Sequence, residues 1–209
     1  MKRRDFLLLS LGGALFGTPL QAAAWKACGP FTINGGQYCY AGIRSPLGHV
    51  QAAVVDGRHH WRWSWAACTA MLCGYAGHRI SQQQIVTDSW GSIGSMPETP
   101  DAVLAGLEGR WVDQGGRAFR IRSEPLPLRP QAALDVLGQD RPVVLLTASH
   151  PVVLTTLRFI SLDDVVGDVQ AGEVSDPHPA AGPRRLTVAE WYGSEMLAGL
   201  HITREHAGT

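Results

Sequence analysis

The chain has 209 residues, is 45% hydrophobic and 17% charged, and sets 18 basic against 18 acidic side chains. That suits one globular domain able to bury a core of its own. It leaves no bulk charge with which to attract nucleic acid or an anionic membrane surface.

The first 24 residues read as an address rather than as part of the fold. Lys2-Arg3-Arg4 gives a basic start, Phe6 to Phe16 an apolar run, and Ala22-Ala23-Ala24 a small-residue cleavage site. The run is too short for a stable spanning helix. Arg3-Arg4-Asp5-Phe6-Leu7 resembles a twin-arginine signal. Residues 25–209 are then expected to form a single exported domain, periplasmic or secreted, with no stable membrane insertion. Removing Lys2, Arg3, Arg4 and Asp5 from 18 basic and 18 acidic side chains leaves 15 and 17, a balance of −2.

Cys28 and Cys39 lie in a Gly/Pro-rich segment with little core of its own, so a disulfide is expected between them. Closing this short loop would contribute on the order of 3 kcal/mol in the chain-entropy model. Gln37 to Arg44 and Val50 to Val55 carry a weak extended pattern. Ser64 to Gly74 reads as a helix apolar nearly all round, and therefore buried. Cys68 and Cys73 on that helix are separated by roughly 7.5 Å of axial rise, which predicts two unbonded, buried thiols.

Ser81 is expected to cap a second helix through about Trp90, with Gln84 completing a capping box. Thr99-Pro100-Asp101 opens a third helix that ends near Gly109. Phe119 to Arg122 is a short alternating strand, and Pro130 to Leu137 a helix. Pro142 to Thr147, Val152 to Phe159 and Val165 to Val174 are strand candidates rich in β-branched residues. Thr187 to Met196 is predicted as a last helix and Leu200 to Thr203 as a closing strand. Helices first and strands later argue for α+β with an antiparallel sheet.

Chemistry gathers at three places. Ser64 stands in the first turn of the buried helix, where the helix dipole favours developing negative charge. His150 sits between two apolar strand candidates, where an imidazole would be held rigidly. Asp176, in Val174-Ser175-Asp176-Pro177, could orient that imidazole from a neighbouring strand end. Asp163, Asp164 and Asp168 compete for the same role; Asp176 is preferred because it follows the strand that should adjoin His150. Pro151 removes a ladder donor and suggests a strand start or an edge.

Ser64-Trp65-Ala66-Ala67, Gln82-Gln83-Gln84-Ile85-Val86, His150 before Val152-Val153-Leu154, and Asp176-Pro177 together resemble the small bacterial branch of the papain-like cysteine peptidases. The resemblance spans roughly Gln51 to Thr203. It implies a papain-like fold, a helical half packed against an antiparallel β half-barrel with a cleft between. It also implies an exported hydrolase of the peptidase or amidase class acting on a peptide or protein substrate. Ser64 would take the nucleophile position, His150 the general base and Asp176 the imidazole partner, with no cofactor or metal required.

Two departures from the family pattern bear on activity. A thiol and an imidazole differ by about two pKa units, so a favourable site can store an ion pair. An alcohol resembles water, leaving a gap of roughly nine units, or about 12 kcal/mol, beyond the roughly 3–5 units a site can shift. Ser64 can therefore act only by concerted general-base catalysis, and activity is expected to be weakened or abolished. The alternative is a catalytically inactive papain-fold protein that binds peptides. Second, the family's oxyanion glutamine is replaced by Arg58, a donor in its own right or a solvated loop residue.

Other readings of the same region are weaker. Cys68 as nucleophile would sit one turn deeper, where burial makes a thiol inert. His59-His60 as metal ligands would point to opposite faces of a strand. Trp61, Trp63 and Trp65 are expected to pack rather than to form a substrate platform. His49, His78, His178, His201 and His206 are scattered singly and default to surface or structural roles.

Overall fold

A computed structural model describes residues 25–31, 35–55, 58, 59, 61–162 and 165–205. The predicted signal segment 1–24 lies outside them, as do Asp163, Asp164, His60 and His206 and the side chains of Arg58, His59 and Trp61.

The edge strand β1 (Trp25–Phe31) comes first and pairs with β2 (Gln37–Gly42), the two joined by the Cys28–Cys39 disulfide. The cystines are direct cross-strand partners, so the bond staples a ribbon that has few buried side chains. The expected extension over Val50 to Val55 shrinks to a two-residue strand, β3 (Val54–Val55), paired with β4 (Arg58–His59). Most of residues 43–53 cross the molecule without regular structure.

The buried helix, α1 (Trp61–Tyr75), is fifteen residues long. Trp63, Trp65, Ala66, Ala67, Cys68, Met71, Leu72 and Cys73 on it are all buried, which is why it reads as apolar on every side. Trp63 and Trp65 pack into the core rather than wall an open cleft. Cys68 and Cys73 are buried free thiols.

Helix α2 (Gln82–Trp90) starts where expected, with the Ser81 hydroxyl accepting from Gln84 N–H at 3.0 Å. The reciprocal half of the capping box is not made, because the Gln84 amide donates instead to the Val112 carbonyl. The complete box lies at Thr187 and Glu190, which open the short α5 (Val188–Tyr192). Between them are α3 (Pro100–Leu107) and α4 (Pro130–Leu137).

The remaining strands are β5 (Gly109–Val112), β6 (Ala118–Leu126), β7 (Val143–Leu146), β8 (Pro151–Leu162), β9 (Val165–Asp176), β10 (Gly182–Leu186) and β11 (Met196–Arg204). All pairings are antiparallel. The main path runs β1-β2-β8-β7-β11-β6-β5, with β9 on β8 and β10 on β9. Strand β8 is the hub: its first half pairs with β7, its second half with β2, and β9 follows it along almost its whole length.

Alternation along β7 and β8 divides the core in two. Val144, Leu146 and Val153 face α1, α2 and α3, while Val143, Leu145, Val152 and Leu154 face α4 and α5. The central strands are apolar on both faces for this reason. The long final helix expected over Thr187 to Met196 stops at Tyr192, and Met196 onward is strand. β5 and β10 carried no apolar run long enough to announce them.

Candidate active site

Pro151 supplies the first residue of β8, where its missing N–H costs no ladder bond. His150 is thereby held at a strand mouth. The turn before it is built by Thr147, which is buried. The Thr147 hydroxyl donates to the His150 carbonyl at 2.8 Å and accepts from the N–H groups of Ser149 and His150 at 3.4 Å.

Across β8, the last residue of β9 is Asp176, and the two side chains meet. The His150 Nε2 lies 2.7 Å from Asp176 Oδ1. Oδ1 also accepts the His178 N–H at 2.8 Å, and Oδ2 accepts from Arg184 Nε at 2.8 Å. Burial by itself would raise this carboxyl. The bonds from His150, the His178 N–H and Arg184 outweigh it and hold the group well below the usual carboxylate range. Asp176 is therefore an ionised acceptor, with only 3% of its side chain exposed.

That fixes the ring. A carboxylate can only accept, so His150 Nε2 carries the proton and donates to Asp176. In the neutral imidazole Nδ1 is then the lone-pair nitrogen, the state a general base needs. Ser149 Oγ is 2.9 Å from it and donates to it. Ser149 was not among the residues picked out by sequence, because an adjacent serine carries no spacing signal. The ring of His178 stands 5.9 Å from that of His150.

Helix α1 reaches this site through Cys68 and Met71. The Cys68 thiol donates to the Pro151 carbonyl at 3.4 Å. Met71 sulfur accepts from Ser175 Oγ at 3.2 Å, and Ser175 is the cross-strand partner of Val153. Ascending the helix from Cys68 to Met71 thus follows β8 from Pro151 to Val153. Ser64 stands one turn, about 6 Å, before Cys68 on the same helix face. It is fully buried. Burial, and then the charge of Asp176, push the Cys68 thiol well up, so it stays protonated and unreactive.

The remaining sequence candidates divide plainly. Asp168 accepts a bond from the Tyr192 hydroxyl at 3.3 Å. His49 bonds to Ser175 Oγ at 2.9 Å and His201 to Glu124 at 2.6 Å. Among the described residues there is no group of three His, Cys, Asp or Glu side chains that could hold a metal ion. No described helix is long and apolar enough to cross a membrane.

No family model and no curated protein matches the chain. Among solved structures, it is similar to a double-glycine-motif protease from an AMS/PCAT transporter, solved in complex with the leader peptide. The identity is 15%, the TM-score 0.43, and the match covers 76% of this chain and 95% of that one.

Proposed function

We propose that this chain is an exported hydrolase of the peptidase or amidase class, papain-like in fold, with Ser64 as nucleophile, His150 as general base and Asp176 as the imidazole's partner. The observation that carries the reading is the 2.7 Å contact between His150 Nε2 and an Asp176 that is kept ionised. It supports the second ring nitrogen as the base. The register of Cys68 on Pro151 supports Ser64 as the hydroxyl approaching from α1.

In the proposed step, His150 Nδ1 takes the Ser64 proton as the oxygen attacks the peptide carbonyl, because an alcohol cannot be stored as its anion. The imidazolium then returns that proton to the leaving amine, and Asp176 stabilises the charge on the ring between the two events. The disulfide fits an oxidising compartment and supports export.

A second reading is favoured by the complete burial of Ser64: a catalytically inactive papain-fold protein that holds a peptide without cutting it. Ser64→Cys separates the two. Peptide hydrolysis gained with cysteine and lost again on His150→Ala supports the hydrolase. A folded but inert Ser64→Cys protein, with saturable peptide affinity that survives Ser64→Ala, supports the binding module.

A further inference from the structure

Asp176 divides its oxygens between two tasks. Oδ1 receives His150 Nε2 and the His178 N–H; Oδ2 receives Arg184 Nε. Arg184 comes from β10, which folds back along β9 with Gly182 opposite Asp176 and Arg184 opposite Val174. Its side chain therefore runs back along the strand to reach the carboxylate. Only 28% of it is exposed.

The guanidinium is itself braced. Arg184 Nη1 lies 2.8 Å from Glu190 Oε1 and donates to the Arg185 carbonyl at 3.1 Å. Glu190 is in turn fixed by the capping box of α5, its Oε2 accepting from Thr187 N–H and from the Thr187 hydroxyl at 2.9 Å each. The bonds from the Thr187 N–H and hydroxyl, and after them the Arg184 charge and bond, hold Glu190 below its usual carboxylate range, although burial works against it. A planar fork bound at two edges has one orientation, which a lysine ammonium would not have.

We propose that Arg184 is a positioning residue: it clamps Asp176 from the side opposite His150 and so sets the orientation and tautomer of the ring. Without it, Oδ2 loses its charge-assisted bond and the carboxylate is free to turn about its own axis. The Nε2–H donor then loses a fixed acceptor, and the neutral ring no longer has a single protonation site. The chain of support runs from a helix cap to an imidazole, through Thr187, Glu190, Arg184 and Asp176. The proposal rests on the reading of His150 as the base, but its first test needs no turnover.

That test is the ¹⁵N spectrum of the His150 ring in the full-length protein. The unaltered chain is expected to show the neutral ring protonated at Nε2. Arg184→Met is expected to give a mixture of the two tautomers, and Arg184→Lys, which restores the charge without the fork, to recover Nε2–H in part. A folded Arg184→Met protein with an unchanged ring spectrum overturns the proposal. If Arg184→Met does not fold, Glu190→Gln leaves Arg184 in place without its brace. A smaller change of the same kind is then expected, and an unchanged spectrum is again fatal.

The second arm uses the Ser64→Cys protein, where Arg184→Met should lower kcat about 10- to 100-fold, with KM nearly unmoved, because misplacing the base costs the chemical step. An unaltered kcat counts against the clamp. An inert Ser64→Cys protein counts against the hydrolase reading alone, and the spectra still decide the role of Arg184.

Discussion

The molecule contains the same three side chains twice. His150, Asp176 and Arg184 stand at the strand mouth beside α1; His78, Asp113 and Arg117 tie the end of α1 to the β5–β6 hairpin. In both, an imidazole nitrogen meets a carboxylate, at 2.7 Å in one and 3.0 Å in the other, and an arginine Nε binds the same carboxylate at 2.8 and 2.9 Å. The difference lies in what surrounds the ring. His78 is 2% exposed and stacks on Phe119 at 4.3 Å, whereas the His150 side chain is 13% exposed and has a hydroxyl on its second nitrogen. Asp113 further accepts the N–H groups of Gly115 and Arg117, closing its own turn. A His–Asp–Arg set sealed by an aromatic ring is thus a structural lock, whereas the set with a hydroxyl on its second nitrogen is the one the proposed function uses.

The largest expected effect is a crossed pair of truncations. In the Ser64→Cys protein, His150→Ala should cost about 10²- to 10⁴-fold in turnover, the usual contribution of a general base, with the melting temperature almost unmoved. His78→Ala should do the reverse. Losing a buried stacked ring and its bond to Asp113 should destabilise by about 2–3 kcal/mol, roughly 5–10 °C in a chain of this size. Turnover at low temperature should persist. Thermal melts and a peptide assay on both variants check this, and a turnover loss in His78→Ala matching that in His150→Ala would erase the distinction.

Acid should sharpen the contrast next. The bonds from Arg117 N–H, and then those from His78 and the Arg117 side chain, hold Asp113 well below the usual carboxylate range against the opposing effect of burial. Asp176 is held low likewise. A carboxyl depressed on folding binds a proton more readily when unfolded. Its stabilisation is therefore complete about a unit above the ordinary carboxylate pKa of about 3.9 and drains away as pH falls through and below that value. Melts from neutral pH downward should show stability dropping from about pH 5. Asp113→Asn should flatten part of that fall at the cost of a lower neutral melting point. Asp176→Asn should flatten it too, while abolishing any hydrolysis gained by Ser64→Cys.

How much of this could be read in the sequence depended on whether the signal was local. The buried helix, the cap at Ser81, the helix at Pro130–Leu137 and the strands flanking His150 all follow from periodicity and capping residues, and the structure has them. The disulfide was legible from compartment and composition. The His150–Asp176 contact was accessible through strand order, since two consecutive strands usually pair. What was not legible lacked any periodic mark. Arg184 sits on a five-residue strand, Gly-Pro-Arg-Arg-Leu, with two glycine and proline positions that read as turn. His78 looks like a lone surface histidine until Asp113, 35 residues on, is folded against it. Spacing puts Gln84 in a cap, yet tertiary structure offers its amide the Val112 carbonyl instead.

The subtlest test concerns the feature that separates the two sets, the hydroxyl on His150. Ser149 Oγ is 2.9 Å from Nδ1 and 3.2 Å from Thr147 Oγ1. With the ring neutral, Ser149 donates to Nδ1. With the ring protonated, Nδ1–H donates to Ser149, whose own proton turns to Thr147. Both protonation states are satisfied, and on the proposed reading Ser149 occupies the nitrogen that the nucleophile must reach. A net hydrogen bond of about 1 kcal/mol is what the nucleophile must displace. Ser149→Ala in the Ser64→Cys protein should therefore raise kcat/KM by about 5-fold, while this exposed site changes stability by no more than about 0.5 kcal/mol. A fall in kcat/KM would mean that Ser149 helps to hold the base rather than to occupy it.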